Sequence, residues 1–509
     1  MKPEVLLVQP PFIRFFNSKY KLAPLGALYI SAVLNESNIK TKVYDADFDL
    51  SENYLYKKVT ESDVLKEMER VIRSVSPNVL GIGALSNQYK LALKIARMVK
   101  EIDSDIIVIA GNRHASVRPK EILSSPDFDF VVIGEGEITT LELVKALNNG
   151  MKLKNVNGIA YRKNNQVIIT KPRELIKNLD TLPFPDRKSL LYVKRYPPNA
   201  FGTVISSRGC PFNCAFCESR IFWQKRVRFR SAENLVDELE SIVKEFGSRE
   251  FIFQDDSFTI NHARIERFCE LLKERDIDIF WSCNSRVDTI NDRLIKVMKG
   301  AGFYSIRVGI ESGNNSMLRR MKKGTTVEEI KKAVNVLKRN KIETLGWFIL
   351  GYPGENKKTI RDTYRLMKEL KLDNIALSLP EPFIGTELYE TVKEERGLVD
   401  NKISGSKILT MNINNLSKED LIKYYLKIEK EFNSLNRNTF LKRLLRPRYM
   451  YLRILENVKN NPSVNLRLLL ELLRHLQKKP LESNRLLMEL FQQLRNKPLH
   501  QDKEIFHDT

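Results

Sequence analysis

The run Arg208-Gly209-Cys210-Pro211-Phe212-Asn213-Cys214-Ala215-Phe216-Cys217-Glu218 decides how this chain reads. Its cysteines are spaced Cys-x3-Cys-x2-Cys. Three thiolates hold three corners of a cubane iron–sulfur cluster and leave the fourth iron without a protein ligand. A cluster that only carries electrons is held by four cysteines. An open metal position admits a small molecule, which makes such a site catalytic in kind. The competing readings are a zinc knuckle and plain buried cysteines. Structural zinc needs four ligands, usually in close pairs. His262 does not sit at that spacing, and Cys269 and Cys283 are far away in sequence.

Working outward, the segments on both sides alternate strand and helix. Upstream, apolar strands are expected at Val5–Gln9, Lys42–Asp45, Val79–Ala84, Ile106–Ala110 and Phe130–Ile133. Helices are expected at Pro24–Glu36, Val64–Val75 (with Ser62 or Asp63 as N-cap), Leu91–Ile102 and Thr139–Asn148. Near-continuous apolar strands joined by helices predict a doubly wound parallel sheet over 1–150, with ligands outside the carboxyl ends of its strands. Residues 151–200 read as a connector with a hairpin and a Pro-stiffened segment, Leu182-Pro-Phe-Pro-Asp186. A second α/β run over 201–400 has strands at Thr203–Ser206, Phe251–Gln254, Phe280–Cys283, Ser305–Val308, Thr344–Leu350 and Asn374–Ser378. Six strands with intervening helices predict a parallel sheet closed or partly closed as a barrel, its chemistry at the strand carboxyl ends. Residues 401–509 read as helices only, including Lys418–Phe432, Leu466–Gln477 and Arg485–Leu494.

Bulk properties narrow the classes. The chain has 509 residues, 42% hydrophobic, and five cysteines, too few for a disulfide framework. No apolar run reaches the roughly 18 residues of a membrane span. The N-terminus turns polar too soon for a signal peptide. A cytoplasmic, oxygen-sensitive protein is expected. The net charge is +22, and after residue 400 there are 21 Lys and Arg against 11 Asp and Glu. That excess suits an anionic membrane surface, RNA or an acidic substrate, or simply a soluble lysine-rich surface.

With these residues in view, the central segment resembles the radical S-adenosylmethionine (SAM) superfamily, including the aromatic Phe216 before the last cysteine. The resemblance implies a (β/α)6 TIM-like barrel. It also implies a [4Fe–4S] cluster whose open iron takes SAM's methionine moiety, and a 5′-deoxyadenosyl radical that abstracts hydrogen. Gln254-Asp-Asp-Ser-Phe258 resembles the acidic strand end that holds SAM's ammonium, so Asp255 or Asp256 takes that role. An Asx turn is the plainer reading. Arg286, in Asn284-Ser-Arg286, is expected to pair with SAM's carboxylate, with an ordinary ion pair as the alternative. Gly309-Ile-Glu-Ser-Gly313 matches a run in relatives and assigns Glu311 to SAM's ribose or another polar part. Gly351-Tyr-Pro-Gly-Glu355 matches a segment whose backbone touches adenine, which assigns Gly351 and Gly354.

Residues 1–150 resemble the cobalamin-binding, flavodoxin- or Rossmann-like domain that precedes many radical SAM enzymes. The matching pieces are Pro10-Pro11, Pro24-Leu-Gly-Ala-Leu28, Tyr44-Asp-Ala46, Gly111-Asn-Arg-His114 and Gly134-Glu-Gly-Glu137. They imply cobalamin contacts from Leu25, Gly26, Gly111, His114, Gly134 and Gly136, with Ser86 bonding the nucleotide tail. There are two departures. No Asp-x-His-x-x-Gly is present, so no cobalt-ligating histidine of that motif is expected. Relatives read Gly-Gly-Pro-His where this chain has Gly-Asn-Arg-His, which puts bulk near the corrin. His114 is expected as a loop residue rather than a cobalt ligand.

Together the resemblances imply cobalamin-dependent radical methylation of an unactivated carbon in a lipid-like or other small molecule. Radical cyclisation or C–C coupling is the alternative within the superfamily. A non-catalytic iron–sulfur or cobalamin sensor is the alternative from another class. An electron donor such as flavodoxin or ferredoxin is implied, and the basic C-terminal helices suit peripheral contact with an anionic membrane. Nucleic acid is disfavoured, because RNA-acting relatives carry further cluster cysteines and none precedes Cys210. Cys283 is expected in the core.

Overall fold

A computed structural model describes residues 4–11, 22–53, 60–83, 85, 86, 88–396 and 416–444. The helices expected at Leu466–Gln477 and Arg485–Leu494 lie outside the described residues. Residues 1–436 form one compact unit, treated below, and 437–509 another.

The first sheet contains β1 (Val5–Gln9), β2 (Thr41–Asp45), β3 (Val79–Gly83), β4 (Ile107–Gly111), β5 (Phe130–Val132), β6 (Ile159–Lys163) and β7 (Gln166–Ile169), in the order β2-β1-β3-β4-β5-β6-β7. The first five strands run parallel, and the hairpin β6–β7 adds to the edge antiparallel. The hairpin expected in the connector is thus part of this sheet. The strand order reverses between β1 and β3, which opens a crevice at their carboxyl ends. One boundary differs from expectation. The third helix begins at Glu61, and its N-cap is Thr60, not Ser62 or Asp63. Thr60 Oγ accepts from the Asp63 N–H, and the Asp63 carboxylate accepts from the Thr60 N–H at 2.8 Å. Such a reciprocal cap contributes about 1 kcal/mol.

A two-stranded ribbon, β8 (Thr203–Val204) aside, brackets the cysteine loop. β9 (Ser207–Arg208) pairs antiparallel with β10 (Arg228–Phe229). The second sheet contains β8, β11 (Glu250–Phe253), β12 (Phe280–Arg286), β13 (Phe303–Glu311), β14 (Glu343–Ile349) and β15 (Asn374–Ser378). All pairs are parallel, in the order β15-β14-β13-β12-β11-β8, so β8 and β15 are edges and the barrel is partial. Alternate residues such as Phe251, Phe253, Trp281, Cys283, Ile306 and Val308 are buried in one core against the helices. Cys283 and Cys269 belong to that core, and burial pushes both thiols up. The helix Lys418–Leu444 adds Leu421, Ile428 and Phe432 to it. Among the described residues no helix is long and apolar enough to cross a membrane.

Candidate functional site

The cysteine loop is gripped at its middle by backbone. The Ala215 N–H donates to the Met321 carbonyl at 2.9 Å, and the Leu388 N–H donates to the Ala215 carbonyl at 3.0 Å. Phe216 packs against the apolar cluster that contains Met317, Met321, Tyr352 and Leu388, edge-on to the Tyr352 ring. Cys214 is buried, while Cys210 and Cys217 are half-buried. The three sulfurs are close enough to act on one another electrostatically. Burial pushes the Cys210 thiol up and the Cys217 thiol up to about 12. Thiolates form here only when a cationic group supplies the compensating charge. Among the described residues no three ligating side chains converge on a point fit for a single metal ion. The zinc reading needs a fourth ligand that they do not supply.

The acidic strand end after β11 divides its work. Asp255 is fully buried. It accepts from the Ser206 N–H at 3.2 Å, from Ser206 Oγ at 2.7 Å and from Ser207 Oγ. Burial pushes its carboxyl up against the opposing pull of Arg264 and the two serines. Its oxygens are committed to the strand that leads into the cysteine loop. Asp256 is the carboxylate open to a ligand. It is exposed, among the described residues receives only the Ser219 hydroxyl at 2.6 Å, and sits close enough to raise the Cys210 and Cys217 thiols.

Arg286, at the end of β12, lies beside the cluster loop. Its Nη1 is 3.4 Å from Cys214 Sγ, and its guanidinium stacks on Phe212 at 3.6 Å. Asp288 takes it bidentately at 3.0 and 2.8 Å, so the ion pair given as the alternative exists within the chain. Glu311 is buried and paired with Lys323 Nζ at 2.7 Å. It stands at a register shift between β13 and β14 with φ +65°. A left-handed non-glycine residue costs on the order of 1–3 kcal/mol and clusters at functional sites. A side chain at Gly309 would strike the ends of the Glu311 and Lys323 side chains and displace that pair. After β14, Gly351 (φ +85°) and Gly354 (φ +86°) turn the chain. The buried Glu355 accepts from the Gly351 N–H at 2.5 Å, its other oxygen has no partner, and burial pushes its carboxyl up to about 7.

A cavity of about 420 Å³ opens at the carboxyl ends of β1, β3 and β4. Leu25, Gly26, Gly111, Gly134 and Gly136 line it, and so do Gly81 and Gly83. At Gly26, Gly111 and Gly134 a Cβ would point into open space. Backbone without side chains over this area suits a large flat ligand lying directly on it. Ser86 and His114 are not among the lining residues. Asn112 turns the loop at φ +80°, and the short helix Asn112–Val117 carries His114 beneath the wall. There its Nδ1 meets Ser86 Oγ at 3.1 Å and its ring packs on Tyr89, while burial lowers its pKa. Among the described residues Ser86 and His114 contact each other, and the buried His114 Nε2 has no partner.

Sequence reasoning missed the charges that join the two sheets. Arg208, directly before Gly209-Cys210, donates to Glu135 at 2.6 Å and to Glu137 at 2.5 Å. Arg228 donates to Glu135 at 2.8 Å. All four are buried. Burial pushes the Glu135 carboxyl up, but Arg228 and Arg208 outweigh it and hold it below its ordinary value. The signal was present as two acids alternating with the glycines of 134–137, and an arginine beside the cysteines. Arg113 adds a third tie, to Glu218, which follows Cys217. The same cavity is lined by Ser207, Arg208, Gly209, Gln254 and Asp256, so it reaches the residue that faces the cysteines.

The model for the radical SAM superfamily matches residues 204–367, and that for the B12 binding domain matches 13–144. An uncharacterized methyltransferase of Pyrococcus horikoshii is 32% identical over 89% of this chain and 95% of its own length. The chain belongs to the radical SAM superfamily. This radical SAM enzyme carries a B12-binding domain, and its cofactors are a [4Fe–4S] cluster, SAM and cobalamin. The three-cysteine loop and the glycine floor fit those groups. A cytidylyl-2-hydroxyethylphosphonate methyltransferase of Streptomyces wedmorensis is 26% identical over 78% of this chain and 83% of its length. The fold resembles that of the radical SAM methyltransferase TsrM from Kitasatospora setae (TM-score 0.64, 18% identity, 78% of this chain and 75% of that one).

Proposed function

We propose that this radical SAM enzyme methylates an unactivated carbon of a small-molecule substrate, with Cys210, Cys214 and Cys217 as cluster ligands. The observation that carries the proposal is the continuity of the glycine-floored cavity with Asp256, which faces the cysteines. A methyl donor in the cavity and a radical source at the loop would then act on one molecule between them. The relatives named as methyltransferases support this reading. When bound, SAM at the cluster supplies a carbon radical and cobalamin a transferable methyl group. The residues orient these groups. Asp256 accepts from SAM's ammonium, Arg286 places a cation beside the cluster loop, and the Gly351–Gly354 turn presents backbone to adenine. Gly26, Gly111 and Gly134 let the corrin approach. We assign the B12-binding domain to 1–150, with the hairpin Ile159–Ile169 of the connector 151–200 completing its sheet, the barrel to 201–400 and a basic helical segment to 401–509. A flavodoxin or ferredoxin in the cytoplasm is the proposed electron donor, and 401–509 the proposed contact with an anionic membrane.

A match of 31% over 69% of this chain to an anaerobic magnesium-protoporphyrin IX monomethyl ester cyclase of Rubrivivax gelatinosus favours cyclisation as a second reading. The chain spans 62% of that protein's length. Anaerobic reconstitution followed by mass spectrometry separates the readings. 5′-Deoxyadenosine with S-adenosylhomocysteine indicates methylation, and 5′-deoxyadenosine alone indicates cyclisation or coupling. Neither product, with cluster and SAM bound, would leave a sensor.

A further inference from the structure

The partial barrel has an inner face that the core does not use. Side chains alternate along a strand. Ile306, Val308 and Phe348 go to the helices, so Arg307, Gly309, Leu345 and Trp347 go to the inside. Register aligns these positions in rows across the sheet. Asn284, Arg307 and Leu345 form one row, and Arg286, Gly309 and Trp347 the next row toward the carboxyl end.

Two features of this face ask for a ligand. Trp347 has a paired strand on each side and is still 43% exposed, so its indole borders open space. Its neighbour Gly309 has no side chain to cover it. Arg307 donates from Nε to Asn284 Oδ1 at 2.6 Å, and Asn284 is itself fixed by donating to the Asp255 carbonyl at 3.2 Å. Arg307 Nη2 is buried and has no acceptor, and among the described residues no carboxylate pairs with this guanidinium. A buried cationic donor without a partner costs more than a neutral one, and demands an explanation. A fork already oriented through Nε suits an anionic oxygen group. The row that holds Trp347 also holds Arg286, which touches Cys214. Two strand spacings separate Trp347 from Arg286, about 10 Å, the span of one small aromatic molecule.

We propose that the substrate lies on this inner face, and that it is a flat aromatic molecule bearing an anionic oxygen group, carboxylate or phosphate. The indole of Trp347 takes the ring and Arg307 takes the anion. This rests on the enzyme reading above, which 5′-deoxyadenosine formation by the wild-type holoenzyme tests separately.

The test is isothermal titration of the reconstituted holoenzyme with 2-naphthoate, 2-naphthyl phosphate and the neutral 2-naphthalenemethanol. One anion is expected to bind at least about tenfold tighter than the alcohol, and which anion does so names the group. Arg307→Gln should erase that preference while leaving SAM affinity intact. Trp347→Leu, at an open position, should weaken all three probes with unchanged iron content. Equal binding of anions and alcohol, preference retained in Arg307→Gln, or no binding of any probe at millimolar concentration overturns the proposal. So does a loss in Arg307→Gln of SAM affinity with naphthoate binding unchanged, since Arg307 would then serve the cofactor. If Arg307→Gln does not fold, Arg307→Lys replaces it, and an unchanged preference in that variant counts against the fork.

Discussion

Glu355 offers a sharp physical test, because its carboxyl is buried with one oxygen unpartnered and is pushed up to about 7 from an ordinary 4.5. A raised acid means that the native state binds the proton more tightly than the unfolded chain. Between the two values the native protein therefore holds more protons, and stability falls as pH rises. That rise corresponds to about 3 kcal/mol at full ionisation. That contribution is present below about pH 4.5 and lost as pH rises through about 7. Between about pH 5.5 and pH 8 the loss is about 2 kcal/mol. Glu355→Gln removes the titration and keeps an oxygen to accept from the Gly351 N–H. Calorimetric melting of both proteins across that range isolates the residue, because Asp45, also pushed up to about 7 by burial, is common to both. The wild type should lose stability relative to the variant as pH rises. A difference that does not change with pH, or that favours the wild type at high pH, refutes the argument.

Other outcomes follow from the same geometry. Arg208→Met should destabilise by about 3–5 kcal/mol, because it leaves Glu137 buried and unpaired; calorimetry should show Glu137→Leu recovering most of this in the double variant. Gly111→Leu places its side chain in open space within the cavity; bound cobalamin, measured by absorbance, should fall at least about tenfold, with stability changed by less than about 1 kcal/mol and iron retained. Asp256→Asn should weaken SAM binding by about tenfold, with little change in melting. Asp255→Asn, at an acceptor for Ser206 and Ser207, should lower the melting temperature instead.

Much of the fold was legible because the second sheet and the first five strands of the first sheet are parallel and buried on the helix side, so each of those strands announces itself as an apolar run. The cysteine loop was legible because spacing alone carries its chemistry. The division of labour between Asp255 and Asp256 was not, since adjacent residues in an extended strand end face opposite ways and only tertiary contacts say which way is inward. The placement of His114 was not legible for a related reason. Asn112, at φ +80°, begins the short helix Asn112–Val117, which carries the ring to Ser86 and Tyr89. The N-cap at Thr60 was missed because it lies ahead of the apolar pattern that marks the helix.

The departure at Gly111-Asn-Arg-His114 takes on a different meaning in three dimensions. In sequence it reads as bulk pushed toward the corrin. In the structure Arg113 lies over Phe222 and reaches Glu218, the residue after Cys217. Glu135 and Glu137 reach Arg208, two residues before Cys210. The cysteine loop is thus tied at both ends to loops that border the glycine floor. Methyl transfer to a carbon radical requires two reactive centres held at a fixed separation across one substrate, and small misplacements cost rate steeply. The partly exposed Arg113 pair is the weaker tie, at about 0–1 kcal/mol, while the buried pairs are strong enough to set that separation. The acids of 134–137 then have the same claim on catalysis as the glycines they alternate with, through position alone.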